Sequence, residues 1–193
     1  MLILASESRT RKALLAGAGL AFEARPAGVN EREIESVAVM NGASPELVAQ
    51  ELAEAKALAI AGDVVIGADQ VLALDGELLH KTKDLDGARK QLDRLRGRTH
   101  ELHAAVALAV NGSVVWSTVD TAELTMHNFS DAERDLVLAL EGEAVLGSVG
   151  AYRIEGPSIR LFERIAGDYF TILGLPLLPL LAALRTHASE VFS

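Results

Sequence analysis

Val64-Val65-Ile66-Gly67-Ala68-Asp69-Gln70 is the stretch on which the reading of this chain turns. Three apolar residues run into a glycine, a small residue and a carboxylate. An uninterrupted apolar run of this kind reads as a strand buried on both faces. Ending it on Asp69 places an acid at the carboxyl edge of an α/β sheet, where such folds bind ligands. Taken by itself, Asp69 is equally a turn-forming residue at a strand end, so the surrounding segments must decide.

Upstream, Ser44-Pro45-Glu46 opens a helix, with serine as cap and proline at the first helical position, running to about Ile60. Downstream, Val71 to Leu74, the turn Asp75-Gly76 and Glu77 to Leu79 read as a hairpin. Further out, Leu2 to Ala5 reads as a buried strand, followed by a helix from Arg9 to Gly17 or Gly19 capped by Ser6 or Ser8. Strands are expected over Phe22 to Ala27, over Thr99 to Val110 and Ser113 to Thr125 (joined at Asn111-Gly112), and over Ile159 to Ile165 and Tyr169 to Ile172. Val29 to Glu33 reads as a charged loop, and Gly147 to Ile154 as extended chain. Further helices are expected over Leu85 to Leu95, from Ser130 to about Leu140 behind the capping box Ser130–Glu133, and over Leu177 to Thr186. The alternation of strands and helices gives an α/β fold whose hairpins make the sheet mixed.

Composition narrows the function. The 193 residues suit one domain, or one domain with two lobes. With no cysteine, disulfide scaffolds, thiolate metal sites and cysteine nucleophiles are excluded. A formal charge of −9 argues against a broad nucleic-acid surface, yet leaves room for a phosphorylated small molecule held by local cations. The apolar start is too short for a signal peptide. The apolar stretch Tyr169 to Leu184 is interrupted by Pro176 and Pro179 and falls short of a membrane span. A cytoplasmic protein is expected.

Several clusters bear on chemistry. Ser6-Glu7-Ser8-Arg9-Thr10-Arg11-Lys12 gathers hydroxyls and cations where a strand feeds a helix N-terminus, a place that favours anions. Glu31, Lys56, Asp69 and Lys81 combine carboxylates with lysines, as a divalent metal bridging phosphates would require, although each alone is equally a surface charge. Gly150 to Ser158 places Tyr152 and Glu155 between glycines, read either as a base-binding segment or as a strand with bulges. His100 and His103 stand on an expected strand, where they point to opposite faces and do not make a zinc pair.

In series, these segments resemble the Maf family of nucleoside triphosphate pyrophosphatases, once described as septum-formation inhibitors. Leu4-Ala5-Ser6-Glu7-Ser8 with Arg11 resembles the family's opening motif, and Val29 to Glu31 its acidic loop. Glu54-Ala55-Lys56-Ala57, Ile66-Gly67-Ala68-Asp69 and Lys81 follow in the family's order. So do Gly97 to His100, Gly150 to Gly156, and Gly167-Asp168-Tyr169 with Gly174-Leu175-Pro176-Leu177. The resemblance covers nearly the whole chain as a single Maf-like domain, 1–193. Departures stand at Arg9-Thr10, where the family has Pro-Arg, at Thr82 for a proline and at Thr171 for an asparagine.

The resemblance implies an elongated, two-lobed fold of the inosine triphosphatase type, a mixed sheet flanked by helices with a central cleft. It implies hydrolysis of a nucleoside triphosphate to monophosphate and pyrophosphate with Mg2+ or Mn2+. Asp69 would be the general base or a metal ligand, and Glu31 a metal ligand. Lys56, Lys81 and Arg11 would bind phosphates beside Ser6 and Ser8. Thr10, Gln70 and Glu155 would surround the base. The Gln70/Glu155 pair resembles the branch acting on 7-methyl-GTP rather than the dTTP/UTP branch. A homodimer is also implied, and no membrane or nucleic-acid partner. Rival expectations are a non-catalytic nucleotide-binding regulator of cell division, and a metal hydrolase using His100 and His103.

Overall fold

The computed structural model describes residues 1–192. Among them the strands form one mixed sheet of seven, with the order β2-β1-β3-β5-β6-β7 and β4 attached to β3. The strands are β1 (Leu2–Ala5), β2 (Glu23–Ala24), β3 (Val64–Leu74), β4 (Glu77–Leu79), β5 (Thr99–Val110), β6 (Ser113–Met126) and β7 (Phe162–Ala166). The helices are α1 (Arg9–Gly17), α2 (Glu31–Met40), α3 (Pro45–Leu58), α4 (Leu85–Leu95), α5 (Asp131–Glu141), α6 (Tyr169–Ile172) and α7 (Leu177–His187). β1 pairs in parallel with β2 and β3, whereas β3–β4 and β6–β7 are antiparallel. The expected mixed α/β class is what the structure shows. Among the described residues no helix is long and apolar enough to cross a membrane.

The chain divides into two compact units. The first holds Met1–Gln70, His103–Thr121 and the chain from Asp168 onward. Its core gathers Leu4 of β1, Leu15 of α1, Ile66 and Ala68 of β3, Val106 and Leu108 of β5, and Leu180 and Leu184 of α7. The other face of β3 is covered by α3, whose Val48, Ala49, Leu52, Ala53 and Ala57 are buried. Burial from both sides is why β3 reads as a continuous apolar run instead of an alternating one. The second unit holds Val71–Leu102 and Ala122–Gly167. There α4 buries Ala88, Leu92 and Leu95, and α5 buries Val137 and Leu138. Arg134 of α5 donates from Nη1 to both carboxylate oxygens of Asp93 of α4, at 2.6 and 2.8 Å.

Most of the expected elements are present, and the departures have local causes. The run containing Asp69 does not end there: β3 continues to Leu74, so Asp69 lies within the strand. The parallel pairing with β1 does end nearby, at Ala5 opposite Gly67. Of the loop expected over Val29 to Glu33 only Val29 and Asn30 remain, because α2 starts at Glu31. Asn30 caps it, accepting from the Glu33 amide at 3.4 Å and donating to the Glu33 carboxylate at 3.1 Å. The strand expected over Phe22 to Ala27 shrinks to Glu23–Ala24, since Pro26 has no N–H for a ladder. Tyr169 to Ile172 is one helical turn, because the Asp168 side chain accepts from the amides of Phe170 and Thr171. Its short apolar run carried no period to separate strand from helix. Gly147 to Ile154 is not extended, a 3-10 turn over Gly142–Gly147 leading into turns. Pro157 opens a second 3-10 turn, Pro157–Leu161, which delays β7 to Phe162. At α1 it is Ser8, not Ser6, that caps.

Candidate active site

The first unit brings Glu31, Lys56 and Asp69 together. The Lys56 ammonium donates to Asp69 Oδ1 at 2.5 Å and pairs with Glu31 Oε1 at 2.7 Å. Three separate elements supply them: the first turn of α2, the last turn of α3, and β3. Lys56 and Asp69 are each only 7% exposed, and each lies opposite a group of complementary charge, which offsets the cost of burial. The Glu31 side chain is 57% exposed and forms the wet side of the cluster.

The close fit of α3 on β3 comes from Gly67. A Cβ there would lie 2.0 Å from the Ala53 carbonyl oxygen and 2.5 Å from the Ala57 amide nitrogen. Gly67 and Asp69 share a strand face by their two-residue spacing. The helix that meets the glycine therefore carries Lys56 onto the carboxylate.

Gln70 points the opposite way. Its Nε2 donates to the Thr171 and Ile172 carbonyls, both at 3.0 Å. Thr171 is buried and in turn donates its hydroxyl to Asp120 Oδ2 at 2.5 Å. Adjacent in sequence, Asp69 and Gln70 serve different faces of β3.

Arg11, half-buried, donates Nε to the Gly174 carbonyl at 2.7 Å and Nη1 to the Ala68 carbonyl at 2.9 Å and to Ser6 Oγ at 3.4 Å. Burial pushes its pKa down, and the carboxylates of Asp69 and Glu31 oppose that shift. Ser6 Oγ also accepts from the Ser8 amide at 3.2 Å, and Ser8 Oγ from the Arg11 amide at 3.3 Å. The strand-to-helix loop is thus cross-linked by the groups expected to bind phosphate. Thr10 is half-buried on α1. Sequence reasoning missed Asp120, Gly174 and Ala68 as partners: Asp120 stands outside every motif segment, and Ala68 and Gly174, although inside them, contribute only a backbone carbonyl.

Lys81 and Glu155 belong to the second unit. Lys81 is exposed beyond β4. Glu155 is exposed, with its Oε1 3.7 Å from Arg153 Nε. In the same unit His100 Nε2 hydrogen-bonds the Tyr152 hydroxyl at 2.7 Å, and both residues are buried. Burial lowers the His100 pKa to about 4 and raises that of Tyr152. His103, on the first unit, instead contacts Thr121 Oγ1 at 2.9 Å. The two histidines thus have different partners.

Glu31 Oε1 and Asp69 Oδ1 both face the Lys56 ammonium; hard carboxylate oxygens are the donor type that holds a divalent cation, ordinarily one or two of them together with substrate phosphates. Among the described residues no group of three or more His, Cys, Asp and Glu side chains is arranged to hold a metal ion.

The chain is 52% identical over 189 residues to a 7-methyl-GTP pyrophosphatase of Rhizobium meliloti, covering 96% of this chain and 95% of that one. It is 49% identical over 188 residues to a 7-methyl-GTP pyrophosphatase of Brucella abortus, with coverage of 95% and 94%. A nucleoside triphosphate pyrophosphatase of Caulobacter vibrioides is 46% identical over 189 residues, with coverage of 96% and 95%. The family described as Maf-like protein matches residues 1–187. This chain belongs to the Maf family.

Proposed function

We propose that this protein is a nucleoside triphosphate pyrophosphatase that converts its substrate to the monophosphate and pyrophosphate, with 7-methyl-GTP preferred. The observation that carries the reading is the Lys56 ammonium held between Glu31 and Asp69. The names of the similar proteins from Rhizobium meliloti and Brucella abortus support 7-methyl-GTP as the preferred substrate.

Asp69 accepts the proton of the attacking water, and its place against Lys56 fixes the carboxylate in one orientation. Lys56 supplies positive charge where negative charge grows on the phosphates. Arg11 adds to that field and, through its bonds to Ala68 and Gly174, keeps the loop after β1 in register with β3. Ser6 and Ser8 shape that loop. Glu31 and Asp69 would hold Mg2+ or Mn2+. Such an ion, when bound, neutralises phosphate charge and polarises the reacting phosphoryl group. The roles of Lys81 toward phosphate and of Glu155 and Thr10 toward the base rest on the family resemblance. Gln70 acts through the Thr171–Gly174 segment that its amide holds. A cytoplasmic location and a homodimer belong to the same proposal.

Pyrophosphate release with Mg2+, measured over 7-methyl-GTP, GTP, dTTP and UTP, tests the reading. The expected result is release from all or some, with the highest kcat/KM for 7-methyl-GTP. A preference for dTTP or UTP would overturn the substrate assignment. Nucleotide binding without release for every member would overturn catalysis and leave a regulator.

A further inference from the structure

We propose that Glu141 holds Arg153 back from Glu155, so that the Glu155 carboxylate keeps its charge for a cationic base on the nucleotide. The proposal deepens the pyrophosphatase reading, which places Glu155 at the base, and rests on it for that role.

Glu141 is the last residue of α5, where the helix dipole disfavours a carboxylate. Its side chain is nonetheless only 1% exposed. A carboxylate buried in this way needs donors. Oε1 accepts from the Ser158 amide at 2.9 Å and from the Ser158 hydroxyl at 2.8 Å. Room for it exists because residue 156 is glycine: a Cβ there would stand 2.5 Å from Oε1. Oε2 lies 3.5 Å from Arg153 Nε.

The same Arg153 nitrogen lies 3.7 Å from Glu155 Oε1. It is buried and hydrogen-bonds neither carboxylate. One guanidinium is therefore shared, at ion-pair distance, between a buried carboxylate and an exposed one. Without Glu141, the attraction of Glu155 would draw Arg153 onto it and cancel its charge. With Glu141 in place, Glu155 stays partly unneutralised. A purine ring made cationic by alkylation gains from that charge, and a neutral purine gains less. Glu141 and Arg153 are thus positioning residues for discrimination by ring charge.

The two residues pull in opposite directions, which gives the test its sign. Dissociation constants for 7-methyl-GTP, GTP and inorganic tripolyphosphate are measured by calorimetry in an Asp69→Asn background, where turnover is suppressed. Glu141→Gln keeps the shape and loses the charge. It is expected to lower the preference for 7-methyl-GTP over GTP by about three- to fivefold, the scale of a solvent-screened charge pair. Arg153→Gln is expected to raise that preference by roughly as much. The tripolyphosphate affinity, which involves no base, stays constant in both. Equal preference in the parent, an unchanged ratio, or movement of both variants in the same direction would overturn the proposal. Parallel weakening of all three ligands would show a merely structural role and also overturn it. Should Glu141→Gln fail to fold, Arg153→Gln, whose side chain is 35% exposed, carries the test. Absence of pyrophosphate release by the wild-type enzyme would overturn the catalytic reading, while these affinities would still decide the role of Glu141.

Discussion

Gly67 meets the backbone of Ala53 so closely that a Cβ on it would stand 2.0 Å from the Ala53 carbonyl oxygen. No rotamer change relieves a contact with backbone. The distance between α3 and β3, and with it the 2.5 Å contact of Lys56 with Asp69, depends on that missing side chain.

Gly67→Ala is therefore expected to displace α3. Overpacking of this kind costs about 1–3 kcal/mol, read as a lower melting temperature. Pyrophosphate release should fall about tenfold or more as Lys56 moves, given the sensitivity of catalysis to misplacement on the ångström scale. Unchanged stability and rate would show that the helix approach does not set the site.

Asp69→Asn preserves size and the neighbours of β3 while removing the base. Turnover should drop by about 100-fold or more, the scale of general-base loss, and the melting temperature should fall as well, because the buried Lys56 ammonium loses its nearest counter-charge. A rate equal to that of the wild type would remove Asp69 from the mechanism.

Lys56→Met leaves the Glu31 and Asp69 carboxylates without the ammonium that lies between them. Loss of one partner from a buried pair costs about 3 kcal/mol. Added Mg2+ should then raise the melting temperature of the variant more than that of the wild type, because a cation can take the vacated place. In the wild type, chelation should stop pyrophosphate release and Mg2+ should restore it. Equal Mg2+ shifts in the two proteins would argue against these carboxylates as the metal ligands.

His100 predicts an acid sensitivity in the second unit. Burial lowers its pKa from 6.5 to about 4, so between these values the unfolded chain binds the proton and the folded chain does not. Stability thus rises with pH through this window. It is fully present above about pH 6.5 and falls progressively toward pH 4, by up to about 3 kcal/mol. Urea midpoints for wild type and His100→Gln, compared between pH 7 and pH 4.5, should show a shallower fall in the variant. Parallel slopes would place the acid sensitivity elsewhere.

Much of this was legible from local order alone. The caps at Ser8, Ser44, Asp84 and Ser130, and the turns Asp75-Gly76 and Asn111-Gly112, announce themselves through side-chain chemistry within a few residues. The α2 cap at Asn30 was hidden by its charges, since Glu31-Arg32-Glu33 describes a solvated helix turn as well as a loop. Tyr169 to Ile172 was too short to show a period. The resemblance implies Arg11 on phosphate; that its guanidinium also donates to two backbone carbonyls, at Ala68 and Gly174, is visible only in the structure.

By itself the amino-acid order determined the strand that carries Asp69, the helix that carries Lys56, and the family to which the whole pattern is similar, because burial period, capping and turn formation act over short separations. Only the tertiary structure decided which charges meet. Lys56 reaches both Glu31 and Asp69, Gln70 turns away to the carbonyls of residues 171 and 172, and Arg153 stands between Glu141 and Glu155. Those encounters depend on how closely packed elements approach, a distance that one glycine at position 67 helps to set and that no local spacing encodes.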